Sequence, residues 1–84
     1  MTYSITFKKS VSKDLKKIDK PEADRILKKI AAELPDKADS LPELKDKYAG
    51  LRKYRIGNYR IVFSIVKNTI LITRIRHRKE AYRN

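Results

Sequence analysis

The sequence predicts an α+β domain: an N-terminal strand, an antiparallel two-helix hairpin and then a three-stranded antiparallel sheet (β-α-α-β-β-β), with the helices on one sheet face. Three observations carry this. Apolar residues alternate at period two near the N-terminus and again from Leu51 onward, they recur at three and four between Val11 and Leu34, and Gly, Pro and Asn separate these stretches. The 84 residues make one domain, 1–84. A chain of this size buries only somewhat more than ~60% of its unfolded surface, so modest stability is expected.

Tyr3-Ser4-Ile5-Thr6-Phe7 alternates apolar and polar, as a half-buried strand joining the later sheet would. From about Lys9 the period changes. Val11, Leu15 and Ile18 fall at i, i+4 and i+7, which predicts a short amphipathic helix with Lys13, Lys16 and Lys17 outward. Asp19-Lys20-Pro21-Glu22 starts a second helix, with Asp19 able to cap and Glu22 able to complete a capping box. Ala23, Ile26, Leu27, Ile30, Ala31 and Leu34 form its apolar face, and Pro35 marks its end. Residues 35–50 read as a loop with one short turn around Leu41 to Leu44, both leucines lapping the core edge.

RKYRI and YRIVFSIV flank Gly57-Asn58, which predicts a hairpin with a type II′ turn and positive φ at Gly57. Arg55 then faces Arg60, Tyr54 faces Ile61 and Lys53 faces Val62. Tyr54, Ile56, Tyr59, Ile61, Phe63 and Ile65 share a core face, while Lys53, Arg55 and Arg60 share the other. Like charges placed opposite each other destabilise a hairpin by up to about 1 kcal/mol per pair, so three converging cations point to an anion. For the last strand, about Thr69 to Arg76, a plain two-residue turn at Lys67-Asn68 would bury Arg74 and Arg76 at a cost of several kcal/mol each. An odd-length connection or a bulge is therefore expected, with Leu71, Thr73 and Ile75 in the core and Arg74, Arg76 and Arg78 on the cationic face.

With 22 Lys+Arg against 10 Asp+Glu, the net charge is +12 and the pI about 10.1, in the range of domains that meet phosphate backbones or acidic proteins. There is no cysteine and a single histidine, which excludes disulfides, thiolate metal sites and histidine-built metal sites. No metal and no cofactor are expected. No apolar stretch approaches the ~18 residues that span a bilayer, and the N-terminus leads into a strand rather than a signal peptide, so a soluble cytoplasmic protein without membrane contact is expected.

The YSITFKKS strand-to-helix start with KDLKKI, the segment LRKYRIGNYRIVFSI and the terminal HRKEAY together resemble the RelE/ParE superfamily of toxins, and more particularly its RelE-like messenger-RNA endonucleases. The resemblance covers nearly the whole chain. It implies a toxin of a type II toxin–antitoxin system, neutralised by a cognate antitoxin and cutting messenger RNA in the ribosomal A site against 16S ribosomal RNA. ParE-like members of the superfamily instead poison DNA gyrase and generally lack the basic set. By this resemblance Arg60 matches the central catalytic arginine, Lys53 and Arg55 the basic pair on the preceding strand, Arg78 the C-terminal arginine and Tyr82 the tyrosine that stacks on a base. The segments between these positions are shorter than in the prototype, so Arg76 competes with Arg78. Arg55 stands where the prototype has lysine.

Such a set suits metal-independent cleavage, in which the RNA 2′-hydroxyl attacks the adjacent phosphorus. Repulsion among the cations would favour the neutral amine of Lys53 and let it act as base. Arg55 and Arg60 would hold the phosphorane, Arg78 would stabilise charge or deliver a proton, and Tyr82 would stack on an extruded base. His77 is a secondary candidate, because strand alternation puts it on the opposite face from Arg76. Glu80 is the only carboxylate side chain after Gly50, which makes a carboxylate base a poor fit. A gyrase inhibitor on the same fold and a non-catalytic RNA-binding module are the alternatives.

Overall fold

The computed structural model describes residues 3–44 and 50–81. Strand β1 (Ser4–Phe7) leads into helix α1 (Lys9–Lys16), helix α2 (Lys20–Lys37) and a 3-10 turn (Ala38–Ser40). Strands β2 (Arg52–Ile56), β3 (Tyr59–Val66) and β4 (Thr69–His77) and a final helical turn, α3 (Arg78–Ala81), follow. One four-stranded sheet has the order β1-β4-β3-β2; β1 runs parallel to β4 and the other neighbours are antiparallel. The helices cover one face, where Val11 of α1 and Ile26, Ile30 and Leu34 of α2 meet Ile56, Ile61, Phe63, Ile70, Ile72 and Ile75 in a single core. Among the described residues no helix is long and apolar enough to cross a membrane.

The first hairpin has the register expected from its sequence: Ile56 opposite Tyr59, Arg55 opposite Arg60, Tyr54 opposite Ile61 and Lys53 opposite Val62. Gly57 has φ +57° and Asn58 does not share that sign, the type II′ pattern. Tyr54, Tyr59 and Ile65 pack partly buried against the core beside Ile56, Ile61 and Phe63, so the core face is as expected.

The second hairpin departs from expectation in its detail. The two-residue turn at Lys67-Asn68 does form, with Val66 opposite Thr69, and a bulge opposite Val62/Phe63 corrects the register beyond it. Ile70 and Ile72, not Leu71 and Thr73, therefore enter the core, while Ile75 does so as expected. Thr73 is the extra residue; its hydroxyl donates to the Val62 carbonyl at 3.0 Å and its own carbonyl accepts the Ser10 hydroxyl at 2.7 Å. Beyond the bulge Arg74 lies opposite Val62 and Arg76 opposite Arg60, both on the open-face side of the sheet. The turn itself holds Lys67 at φ +57°, a conformation that costs a side-chain-bearing residue roughly 1–2 kcal/mol. Lys67→Gly should raise stability by about 1 kcal/mol, seen as a melting temperature higher by roughly 4–8 °C.

Two helix-end expectations are corrected. Asp19 occupies the N-cap of α2 without a side-chain cap hydrogen bond, and Glu22 pairs with Arg25 at 2.6 Å instead of closing a capping box. Pro35 lies inside α2, which runs on to Lys37. The ring removes the donor to the Ala31 carbonyl, but Ala31 is exposed, so water can take that carbonyl and the last turn survives. After the 3-10 turn, Glu43 bridges to Arg52, the Leu44 N–H donates to the Leu51 carbonyl at 2.8 Å, and Leu41 packs on the core edge.

Candidate functional site

The open face of the sheet gathers the cations. Arg55 on β2, Arg60 on β3 and Arg76 on β4 lie directly opposite one another in a row across three strands, and Lys53 and Arg74 flank Val62 in the next row. Adjacent strands are about 4.8 Å apart, so the three guanidinium side chains start within roughly 10 Å of each other. Lys53 and Arg55 are exposed, and Arg60 and Arg76 are half-buried. Among the described residues no carboxylate pairs with Lys53, Arg55 or Arg76. The Nε of Arg76 is buried without a hydrogen-bond partner, which ordinarily costs about 1–3 kcal/mol. An anion lying on the row would neutralise repulsion along it.

Arg74 belongs to this face by register but not by chemistry. β1 ends at Phe7 opposite Ile72, which leaves the next part of the β4 edge to α1. Asp14 of α1, only 6% exposed, fills that position: Oδ2 accepts the Ile75 N–H at 2.9 Å, and its two oxygens take the Nε and Nη2 of Arg74 at 2.9 Å each. The bidentate pair braces the strand and neutralises Arg74. Sequence reading missed Asp14, since an acidic residue in a lysine-rich helix gives no signal of burial.

Arg52 was missed in the same way. Its Nη1 donates to the carbonyls of Leu41 at 2.8 Å and Asp39 at 3.1 Å, fastening the end of the helical segment to the start of β2. Tyr54 ties the same strand to α2, since its hydroxyl donates to Glu33, which also lies near Lys29 and Lys37. Burial, followed by the Glu33 contact, pushes the Tyr54 hydroxyl up to about 12, and the Tyr54 hydrogen bond holds the Glu33 carboxyl below its usual range. Because the fold favours the protonated phenol, its contribution to stability is complete below pH 10 and is lost as pH rises through about 12. Glu33→Gln should bring the tyrosinate absorbance transition part of the way back towards 10, the burial contribution remaining.

The other expected residues are dispersed. His77 lies on the helix side, where its ring meets Tyr59 edge-on at 5.3 Å and lines a cleft with Asp14, Lys17, Ile18 and Ile75. Its Nδ1 accepts the Lys79 N–H at 3.2 Å, so it caps α3 rather than facing the cations. Arg78 is exposed at the start of α3, and its N–H donates to the Asn58 carbonyl at 2.7 Å, at the turn end of the sheet. Tyr82 lies outside the described residues. The structure thus brings Lys53, Arg55, Arg60 and Arg76 together, leaves Arg78 at the margin and separates His77. Among the described residues no three His, Asp or Glu side chains cluster to hold a metal.

Comparisons with known proteins agree with this frame. Residues 5–82 match the family model of the ParE toxin of type II toxin–antitoxin systems. Toxin RelE3 of Methanocaldococcus jannaschii is 36% identical, over 93% of this chain and 93% of its own. The RelB–RelE antitoxin–toxin complex from Methanococcus jannaschii contains a chain of 31% identity and TM-score 0.63, with 90% of this chain and 93% of that one covered. The RelBE2 toxin–antitoxin complex from Mycobacterium tuberculosis shares the fold at TM-score 0.84 and 22% identity, covering 92% of this chain and 99% of that one. The four-stranded sheet with its helical face and these matches together make the chain a member of the RelE/ParE superfamily of type II toxin–antitoxin toxins.

Proposed function

We propose that this toxin is a metal-independent endoribonuclease that cuts messenger RNA in the ribosomal A site and is held in check by a cognate antitoxin. The observation that carries the reading is the Arg55–Arg60–Arg76 row with Lys53 beside it, a set of donors suited to a phosphate that gains charge during reaction. Lys53, the one amine among guanidiniums, takes the proton of the 2′-hydroxyl. The 2′-oxygen attacks the adjacent phosphorus, Arg55 and Arg60 hold the extra charge of the phosphorane, and Arg76 adds positive charge at the β4 end of the row. The bond to the 5′-oxygen breaks, that oxygen takes a proton by way of Arg78 or solvent, and a 2′,3′-cyclic phosphate remains. Tyr82, matched by resemblance alone, stacks on a base. An antitoxin partner is supported by the RelB-bound state of the Methanococcus jannaschii relative.

The test is expression without a partner, followed by mapping of message ends and of gyrase–DNA complexes. Growth should stop, and translated messages should acquire cuts within codons that vanish when ribosomes are withheld. The match to the ParE model keeps a gyrase inhibitor as the second reading. Intact messages alongside trapped gyrase–DNA complexes would establish that reading instead, and RNA binding without cuts would make the protein a binding module.

A further inference from the structure

We propose that the cleft along the outer edge of β2 is a nucleobase subsite, which takes a base of the nucleotide flanking the phosphate held by the cationic row. This rests on the reading of that row as an RNA phosphate site. The cleft encloses about 320 Å³ and is lined by Leu41, Pro42, Lys53, Tyr54, Arg55 and Arg60. That volume is at the small end of ligand sites, which suits a single base better than a larger ligand. Its lining is divided by chemistry: Leu41 and Pro42 contribute apolar surface, and Lys53, Arg55 and Arg60 contribute positive charge. A nucleotide carries the same division, with an apolar π-face next to an anionic phosphate.

The backbone supplies a third element. The Lys53 N–H leaves the sheet outward and meets the Pro42 carbonyl at 3.4 Å. Groups on an antiparallel strand point alternately inward and outward, so the Lys53 carbonyl and the Arg55 N–H leave by the same edge, past the point where Pro42 ends its pairing. Among the described residues no backbone partner meets either of them there. An acceptor and a donor beside an apolar wall can pair with the hydrogen-bonding edge of an unstacked base, the manner in which single-stranded RNA is read. A partner strand is the competing occupant. Only Tyr54, Arg55 and Ile56 remain on β2 beyond Lys53 before the Gly57 turn, a stretch at the lower limit of strand length, so the short edge favours a base.

The experiment uses the full chain and a short single-stranded oligoribonucleotide whose central sugars lack the 2′-hydroxyl, so that the proposed attack cannot occur. An abasic residue is moved through it one position at a time while affinity is followed by fluorescence anisotropy. At one position the abasic substitution should weaken binding at least five-fold, and the Arg55 amide should exchange more slowly with the base-bearing oligomer than with the abasic one. Pro42→Trp, which fills the cleft, should bind both oligomers equally; because it could disturb folding, the amide measurement on the unaltered chain stands independently. Salt-dependent binding that ignores every abasic substitution would overturn the subsite and leave the phosphate site standing. Displacement of the oligomer by an acidic peptide that itself protects the Arg55 amide, with no abasic effect, would assign the edge to a protein strand. Absence of any salt-dependent RNA binding would remove the phosphate reading as well.

Discussion

Arg60→Ala should lower messenger cleavage by at least a hundred-fold while leaving the domain folded. Arg60 occupies the middle of the row, between Arg55 and Arg76, so it can reach a phosphate from whichever side the RNA enters. Removing one preorganised donor from a site where charge develops typically costs a factor of about 10²–10³. Stability is expected to change far less. The opposed Arg55–Arg60 pair is unfavourable by up to about 1 kcal/mol, and relief of that repulsion offsets the contacts that the half-buried side chain gives up. Cleavage on translating ribosomes and a thermal melt, run on the same preparation, check both halves. A melt lowered by tens of degrees would identify Arg60 as a structural residue and sink the face assignment. Arg60→Lys should recover only part of the rate, since a point charge replaces a planar fork of donors.

Arg74→Met should have the largest effect on stability, about 3–5 kcal/mol, because it strands the Asp14 carboxylate in a buried position with the Ile75 N–H as its remaining donor among those described. For a domain of this size that is a fall of more than ten degrees in melting temperature. The companion experiment separates charge from packing. Asp14→Asn in the Arg74→Met background removes the stranded charge yet keeps an oxygen for the Ile75 N–H, and should recover most of the loss. If the double variant is as unstable as Arg74→Met alone, the ion pair is not the reason for the loss. Denaturant melts of the four proteins in the cycle give the coupling directly.

How much of this was legible in the sequence differs from element to element. The β2–β3 hairpin could be read to the residue, because period-two alternation and a glycine at the first turn position fix faces and register together. The second hairpin could be read only by elimination. Burying Arg74 and Arg76 was too costly, so some irregularity was required, but nothing local says that it falls at Thr73 rather than in the turn. Asp14 and Arg52 were invisible for a common reason. Each serves backbone groups orphaned by tertiary arrangement, the β4 edge left open where β1 stops and the carbonyls at the end of the helical segment. Composition shows a charge but not an unpaired N–H or carbonyl elsewhere in the chain. Pro35 shows the converse, a strong local signal overruled because solvent could take over the carbonyl it orphaned.

The place of β4 between β1 and β3 also dictates the order in which the molecule can come into being. Until β4 docks, β1 has no neighbour and β2–β3 is an isolated hairpin, and neither arrangement is stable alone in water. Docking joins segments from opposite ends of the chain, Ser4 with Thr69, a distant closure of the kind that slows folding. Pairing of β4 with β3, a separate and local closure through the Lys67-Asn68 turn, brings Arg76 up to Arg60. A chain in which β4 has not yet paired with β3 therefore contains the arginines but not the row. Activity and cooperative folding should appear together in a refolding experiment, with no partly folded species able to hold a phosphate.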